Sequence, residues 1–217
     1  MSFHPNAEFY DRIASSYDAI AHASEREVTE LGLDALNVSN GESVLEIGYG
    51  TGHALIRLAK AVGETGKVTG VDVSEGMRKV ASKLVADEGV SDQVDLQVSA
   101  APPLNFGDGS FDAVFLSFTL ELFPDDELKE MVREIGRVLK PGGQCGIVAM
   151  AKPRGEKEDT PLEKVYVWMH RHFPHIVDCH PIDAEKALSA EGLEIIHADH
   201  REIWTLPVAI VVARKPS

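Results

Sequence analysis

Apolar runs of strand length alternate with segments of helical period along most of this chain, and that alternation constrains its fold more than any other feature. Candidate strands are Val44 to Ile47, Lys67 to Val73, Val94 to Val98, Phe111 to Ser117 and Gln144 to Met150. Between them, Ala54 to Val62, Met77 to Asp87 and Glu127 to Leu139 repeat their apolar residues at helical spacing. In the last, Leu128, Met131, Val132, Ile135, Val138 and Leu139 share one stripe, Asp125 and Asp126 suit its start, and Lys140-Pro141-Gly142-Gly143 suits its stop. Near-continuous apolar strands, each followed by a helix, predict a mostly parallel sheet covered on both faces, a doubly wound α/β fold. Leu193 to Asp199 and Val208 to Arg214 break the alternation, because too few residues join them for a parallel crossover. They are expected to pair antiparallel, with Pro207 at the beginning of the second.

The 217 residues, 44% of them hydrophobic, suffice for one substantial core, so a single domain over 1–217 is predicted. Residues 1–40, with FYDRIASSYDAI and an amphipathic helix over Glu25 to Leu36, read as an N-terminal cap. Residues 41–150 form the ligand-binding core, 151–182 an insertion on the substrate side, and 183–217 a last helix and the strand pair. A formal charge of −14 disfavours nucleic acid as a partner, since that affinity comes largely from Lys and Arg displacing counterions. Two cysteines, Cys145 and Cys179, are too few for a disulfide framework. The N-terminal MSFHPNAEFYDRIASSYD has no apolar core of signal-peptide type, and no run reaches the roughly 18 apolar residues of a membrane span. A cytoplasmic protein is the expectation, with peripheral contact to a membrane and a homodimer left open.

The stretch VLEIGYGTG, Val44 to Gly52, puts a carboxylate inside an apolar strand and then removes three side chains in five positions. In open α/β sheets ligands bind beyond the carboxyl ends of the strands, where a glycine turn lets the backbone approach and a helix N-terminus offers N–H groups. Gly48, Gly50 and Gly52 supply such a turn. A tight strand-to-helix turn with no ligand is the plain alternative. Glu46 is costly in a buried strand unless it meets a cationic or hydrogen-bonding partner. Asp72 ends the second strand, 20 residues after Gly52, where a carboxylate can accept from both hydroxyls of a ribose. Its alternative role is helix cap or turn residue, which Ser74 could equally fill. His53 stands where the dinucleotide fingerprint G-x-G-x-x-G needs its third glycine, and Gly52-His53-Ala54 is no P-loop ending.

These residues resemble the motifs of the class I S-adenosylmethionine-dependent methyltransferases. VLEIGYGTG is similar to their first motif, GVDVSEGM (Gly70 to Met77) to their second, LNFGDGSFDAVFLSF (Leu104 to Phe118) to the approach to the fourth strand, and RVLKPGG (Arg137 to Gly143) to the turn entering the fifth. FYDRIASSYD resembles the opening of the methyltransferases of ubiquinone and menaquinone precursors and of phospholipid amines. The resemblance implies seven strands in a Rossmann-like sheet, the last antiparallel, with S-adenosylmethionine as cofactor. It implies that Gly48, Tyr49, Gly50 and Gly52 wrap the methionine part and that Glu46 supports the loop and meets the ammonium, directly or through water. Asp72 would hold the ribose, Val73 and Met77 would lie against the adenine, Ala100 and Ala101 would flank its edge, and Ser117 would sit beside the methionine. One departure is visible: related sequences commonly carry Asp where this chain has Ala100, so that side-chain bond to the adenine amino group is missing.

A sulfonium methyl is already activated, so transfer needs an in-line nucleophile and a desolvated pocket more than a dedicated catalyst. Tyr17, with Tyr10 second, is the candidate to lie over the cofactor, ordinary ring packing being the alternative. Histidine is the natural base for a phenolic acceptor, and His22 on the cap is a candidate. His170, His172, His175, Cys179 and His180 cluster in HRHFPHIVDCH, but without the spacing of a zinc site, so no metal is expected. Leu162, Val165, Tyr166, Met169 and Phe173 form a helical stripe that packs on the sheet, while Val167 and Trp168 point toward the cap, an apolar substrate or another subunit. The function this predicts is methyl transfer to a small acceptor, a quinol, phenol or amino lipid. The alternatives are a catalytically inert cofactor-binding module or regulatory subunit, and, behind it, an NAD-dependent oxidoreductase.

Overall fold

Strand β1 (Ser43–Ile47) is buried at its last four positions because it lies inside the sheet, between β2 (Lys67–Asp72) and β4 (Phe111–Ser117). The computed structural model describes residues 23–152, 180–203 and 206–217. Their seven strands form one sheet in the order β3-β2-β1-β4-β5-β7-β6, with β3 Val94–Val98, β5 Leu139–Met150, β6 Glu194–Ile203 and β7 Leu206–Arg214. β1 to β5 run parallel, and β7 is antiparallel to both β5 and β6. The expected α/β sheet and its antiparallel closing strand are therefore present. Its order reverses between β1 and β4: the chain winds outward to β3 and then returns, which opens a crevice at their carboxyl ends.

Successive strand residues face opposite sides of a sheet, and the core divides accordingly. Leu45, Val114, Leu116 and Ile147 pack with α4 (Asp125–Val138) and α5 (Ala184–Ala190) through Met131, Ile135 and Leu188. On the other face, Val44, Phe115 and Val148 meet α1 (Ala23–Leu36), α2 (His53–Val62) and α3 (Glu75–Asp87) through Leu33, Leu36, Leu55 and Met77. α1 can lie this close because Gly32 has no side chain; a Cβ there would run into Val148 Cγ2. The helix of the expected cap thus packs on a face of the sheet.

The boundaries differ where polar residues carry the structure. α3 starts at Glu75, two residues before the apolar period, because the Ser74 hydroxyl caps it by accepting from Met77 N at 3.0 Å. Lys140-Pro141-Gly142-Gly143 stops α4 without forming a separate loop: β5 begins at Leu139, opposite Phe111, and the register shifts before Ala113 meets Gln144. β6 continues past Asp199 to Ile203, an edge strand whose exposed His200, Arg201 and Glu202 carry no apolar signal. Tyr10, Tyr17, His22, the segment Thr160 to Phe173, His170, His172, His175 and Cys179 lie outside the described residues.

Candidate functional site

A cavity of about 770 Å³ of atom-free space, open mouth included, lies at the carboxyl ends of β1, β2 and β4, where the strand order reverses. Its floor is the glycine loop, and each glycine is required for a different reason. Gly48 (φ 74°) donates to Val71 O at 2.7 Å and lies against Thr119; a Cβ there would stand 2.5 Å from Thr119 Cγ2. Gly50 (φ 51°) donates its N–H to Asp72 Oδ2 at 2.9 Å, and a Cβ there would meet open space. Gly52 (φ 92°) precedes α2 and lets it approach α3, since a Cβ would stand 3.0 Å from Ala81 Cβ.

Of the predicted contacts, Gly48, Gly50, Asp72, Val73, Met77, Ala101 and Ser117 line the cavity together. Glu46, Tyr49, Gly52 and Ala100 do not. The Tyr49 ring turns into the core, 3% exposed, against Gly70, whose Cβ would come within 2.8 Å of Tyr49 Cδ1. Burial, and then the Asp72 charge, pushes its phenol above the ordinary range. Ala100 faces solvent, and Ser99 takes the place on the wall beside Ala101.

The two acids are held differently. Asp72 caps the loop, its Oδ1 accepting from Ser74 N and its Oδ2 from Gly50 N, both at 2.9 Å. Asp72 and Ser74 thus share the capping that could have belonged to either alone. Glu46 is 2% exposed, one residue before the lining Ile47, and its Oε2 has no hydrogen-bond partner among the described residues. Burial, and then the Asp72 charge, raises its pKa well above the usual carboxylate range. A cation at the loop would relieve both.

The opposite wall was only partly visible in the sequence. Ser117 Oγ lies 2.7 Å from Thr29 Oγ1 of α1, which ties the wall to that helix. Phe118 has φ 50°, a conformation that costs a bulky residue on the order of 1–3 kcal/mol. Its N–H to Val148 O at 2.7 Å and the Thr119 hydroxyl to Ser117 O at 3.0 Å hold it there. Leu122 and Phe123 complete an apolar side. The signal for them was the run LELF between the end of β4 and Pro124. Among the described residues, no group of three or more His, Cys, Asp or Glu is placed to hold a metal ion.

The lining is apolar at Val73, Met77 and Ala101 and carries the Asp72 carboxylate beside the glycine loop. Residues 44–143 match the model of a methyltransferase domain. The chain is 32% identical over 164 residues to the ubiquinone/menaquinone biosynthesis C-methyltransferase UbiE of Escherichia coli, over 74% of this chain and 63% of that one. It therefore spans a little under two thirds of that relative. Among solved structures, a SAM dependent methyltransferase from Aquifex aeolicus superposes with TM-score 0.68 at 24% identity, covering 93% of this chain and 98% of that one. The [4+2]-cyclase SpnF superposes with TM-score 0.75 at 22% identity, covering 97% and 94%.

Proposed function

We propose that the chain is a class I S-adenosylmethionine-dependent methyltransferase, as its match to a methyltransferase domain and its likeness to a C-methyltransferase support, and that it transfers a methyl group from S-adenosylmethionine to a small, apolar acceptor of quinol, phenol or amino-lipid type. The observation that carries this reading is the fixed pairing of Asp72 with the Gly50 backbone, at the edge of an apolar slot walled by Val73, Met77 and Ala101. In it, Asp72 receives the ribose hydroxyls. Val73 and Met77 pack on one adenine face, and Ala101, with Ser99 in place of the exposed Ala100, borders the ring edge.

Gly48 and Gly50 present main chain to the methionine part, with Tyr49 and Gly52 shaping the turn from beneath. Glu46 steadies the loop, and its raised pKa falls when a positive ammonium approaches. Ser117 lies beside the methionine end. The bound cofactor supplies a methyl activated by positive sulfur. The chain's part is to exclude water with Leu122, Phe123 and Met77 and to hold the acceptor in line, which is worth more here than a strong catalyst. Tyr17 and His22 stay candidates, respectively over the cofactor and as a base.

The name of the Escherichia coli relative, a C-methyltransferase of quinone biosynthesis, supports an aromatic acceptor over an amino lipid. A second reading is a cofactor-binding protein without methyl transfer, because the glycine loop and Asp72 support binding and do not by themselves establish turnover. Incubation of the protein with methyl-labelled S-adenosylmethionine and a metabolite extract, followed by mass analysis, decides between them. Label in one aromatic or amino-lipid product supports methyl transfer. Retained cofactor with no labelled product from the extract or from a panel of quinols, phenols and amino lipids establishes the second.

A further inference from the structure

Phe118, the first residue after β4, stands at φ 50°, where Cβ crowds the following carbonyl oxygen and a glycine or asparagine would sit at lower cost. Such a conformation persists only where its surroundings fix it, and hydrogen bonds do so here. Phe118 N donates to Val148 O of β5 at 2.7 Å, and the Thr119 hydroxyl donates to Ser117 O at 3.0 Å. Ser117 Oγ lies 2.7 Å from Thr29 Oγ1 of α1. In the 3-10 turn Leu120–Leu122, the buried Glu121 accepts at Oε1 from Met150 N at 2.9 Å. The segment is thereby clamped to α1 and to β5, and Thr119 presses on Gly48 of the glycine loop.

The ring carried by this backbone is half-buried. It packs against the buried cluster of Val44, Phe115 and Val148, and it also lines the cavity. A ring serving the core alone would be closed off, as Phe115 of β4 is at 0% exposure. Strand order says where in the cavity it stands. Asp72 ends β2, the glycine loop follows β1, and Phe118 follows β4 with its N–H on β5. The carboxylate and the Phe118 ring therefore border opposite ends of the cavity, with the glycine loop between them. A cofactor with its nucleoside at β2 and its charged end along the loop leaves the β4 end to the acceptor.

Resting on the methyl-transfer reading above, we propose that Phe118 is a specificity-determining residue: its ring is the surface against which an aromatic acceptor packs, and the strained turn is kept because it stands that ring in the cavity. Aromatic rings pair in offset or edge-to-face arrangements and gain from this beyond the area they bury. An acceptor ring held in such a pair has its plane fixed, which narrows its approach to the methyl group. An amino lipid has no ring to pair, so the preference for an aromatic acceptor follows from this side chain. Phe118 touches the acceptor and takes part in no bond that forms or breaks.

The test is Phe118→Leu in the full chain, which keeps an apolar side chain and the same backbone burden, beside Phe118→Tyr, which keeps the ring. In calorimetry both should bind S-adenosylmethionine and S-adenosylhomocysteine within about twofold of wild type. With hydroquinone as acceptor, Phe118→Leu should raise KM about five- to tenfold and change kcat by less than about threefold, while Phe118→Tyr keeps KM within about twofold. Independently of turnover, NMR of ring-labelled phenylalanine, assigned through Phe118→Tyr, should show the Phe118 signals of wild type shifting as hydroquinone is added in the presence of S-adenosylhomocysteine. An unchanged hydroquinone KM in Phe118→Leu overturns the inference, as does a loss confined to S-adenosylmethionine, which would assign the ring to the sulfonium. Wild-type ring signals indifferent to hydroquinone overturn it too, even if the Leu variant fails to fold. If wild type transfers a methyl group to no acceptor while hydroquinone still moves the ring signals, the methyl-transfer reading fails and the ring contact stands. Turnover of an ethanolamine lipid with ring signals indifferent to hydroquinone keeps methyl transfer and removes the ring contact.

Discussion

Substituting Gly48 by alanine separates the two constraints that the floor of the cavity places on the chain. The new Cβ would stand 2.5 Å from Thr119 Cγ2 and closer still to Thr119 Oγ1, at φ 74°. The left-handed backbone costs a non-glycine residue about 1–2 kcal/mol. Crowding a packed contact costs about 1–3 kcal/mol more, so Gly48→Ala should lose on the order of 2–5 kcal/mol, against a typical total of about 5–15 kcal/mol. Thr119→Ala removes the two nearest atoms and leaves its Cβ at 3.0 Å. In that background Gly48→Ala should cost about 1–2 kcal/mol less, while the backbone share persists. Gly50→Ala, with open space around its Cβ, should lose only about 1 kcal/mol and yet weaken S-adenosylmethionine binding at least about tenfold, because the added methyl enters the ligand's space. Urea unfolding of the four proteins in the cycle and of Gly50→Ala measures this. Equal costs for the Gly48 and Gly50 variants, or no rescue by Thr119→Ala, would refute the packing argument.

Other outcomes follow from the same structure. Cys145 is buried and its thiol is pushed up to about 12; in a Cys179→Ser background it should react with an aromatic disulfide only as fast as the protein unfolds, and labelling within minutes in native buffer would contradict this. Glu121 keeps its proton to about pH 7 in the fold but releases it near 4.5 when unfolded, so its contribution is intact below the lower value and is lost as pH rises to the higher one. Relative to Glu121→Gln, wild type should therefore lose up to about 3 kcal/mol between pH 5 and pH 8; a constant difference in urea midpoint would count against the burial argument. Arg137 holds the loop entering β4 by donating to Phe106 O at 2.7 Å and Leu104 O at 2.9 Å. Arg137→Lys keeps the charge but loses the fork, and should cost about 1–2 kcal/mol in thermal unfolding with faster amide exchange near Leu104; unchanged exchange there would argue against that role.

The buried parts of the fold were legible because burial writes itself as pattern. β3 and β4 match their apolar runs end to end, and the central strands β1 and β2 differ from theirs by one residue. The edge strand β6 ran past its signal because His200, Arg201 and Glu202 are held by pairing to β7, which leaves no apolar trace. At the site, the glycines and Asp72 were visible because turn geometry and a carboxylate at a strand end are local properties. Tyr49 was drawn to the cavity by its place in the loop, yet the gap left by Gly70 on the neighbouring strand takes its ring inward. Phe118, Thr119 and Glu121 were missed for the converse reason. Their roles come from contacts with Gly48, Val148 and Met150, residues distant in the chain.

Titration calorimetry of the intact chain with S-adenosylmethionine, beside NAD and beside the Asp72→Ala variant, tests the central claim most directly. Saturable one-site binding of S-adenosylmethionine, at least tenfold weaker in Asp72→Ala and with no comparable heat from NAD, is the predicted result, the tenfold being about 1.4 kcal/mol for the lost ribose bonds. Binding undiminished by Asp72→Ala, or a preference for NAD, would contradict it.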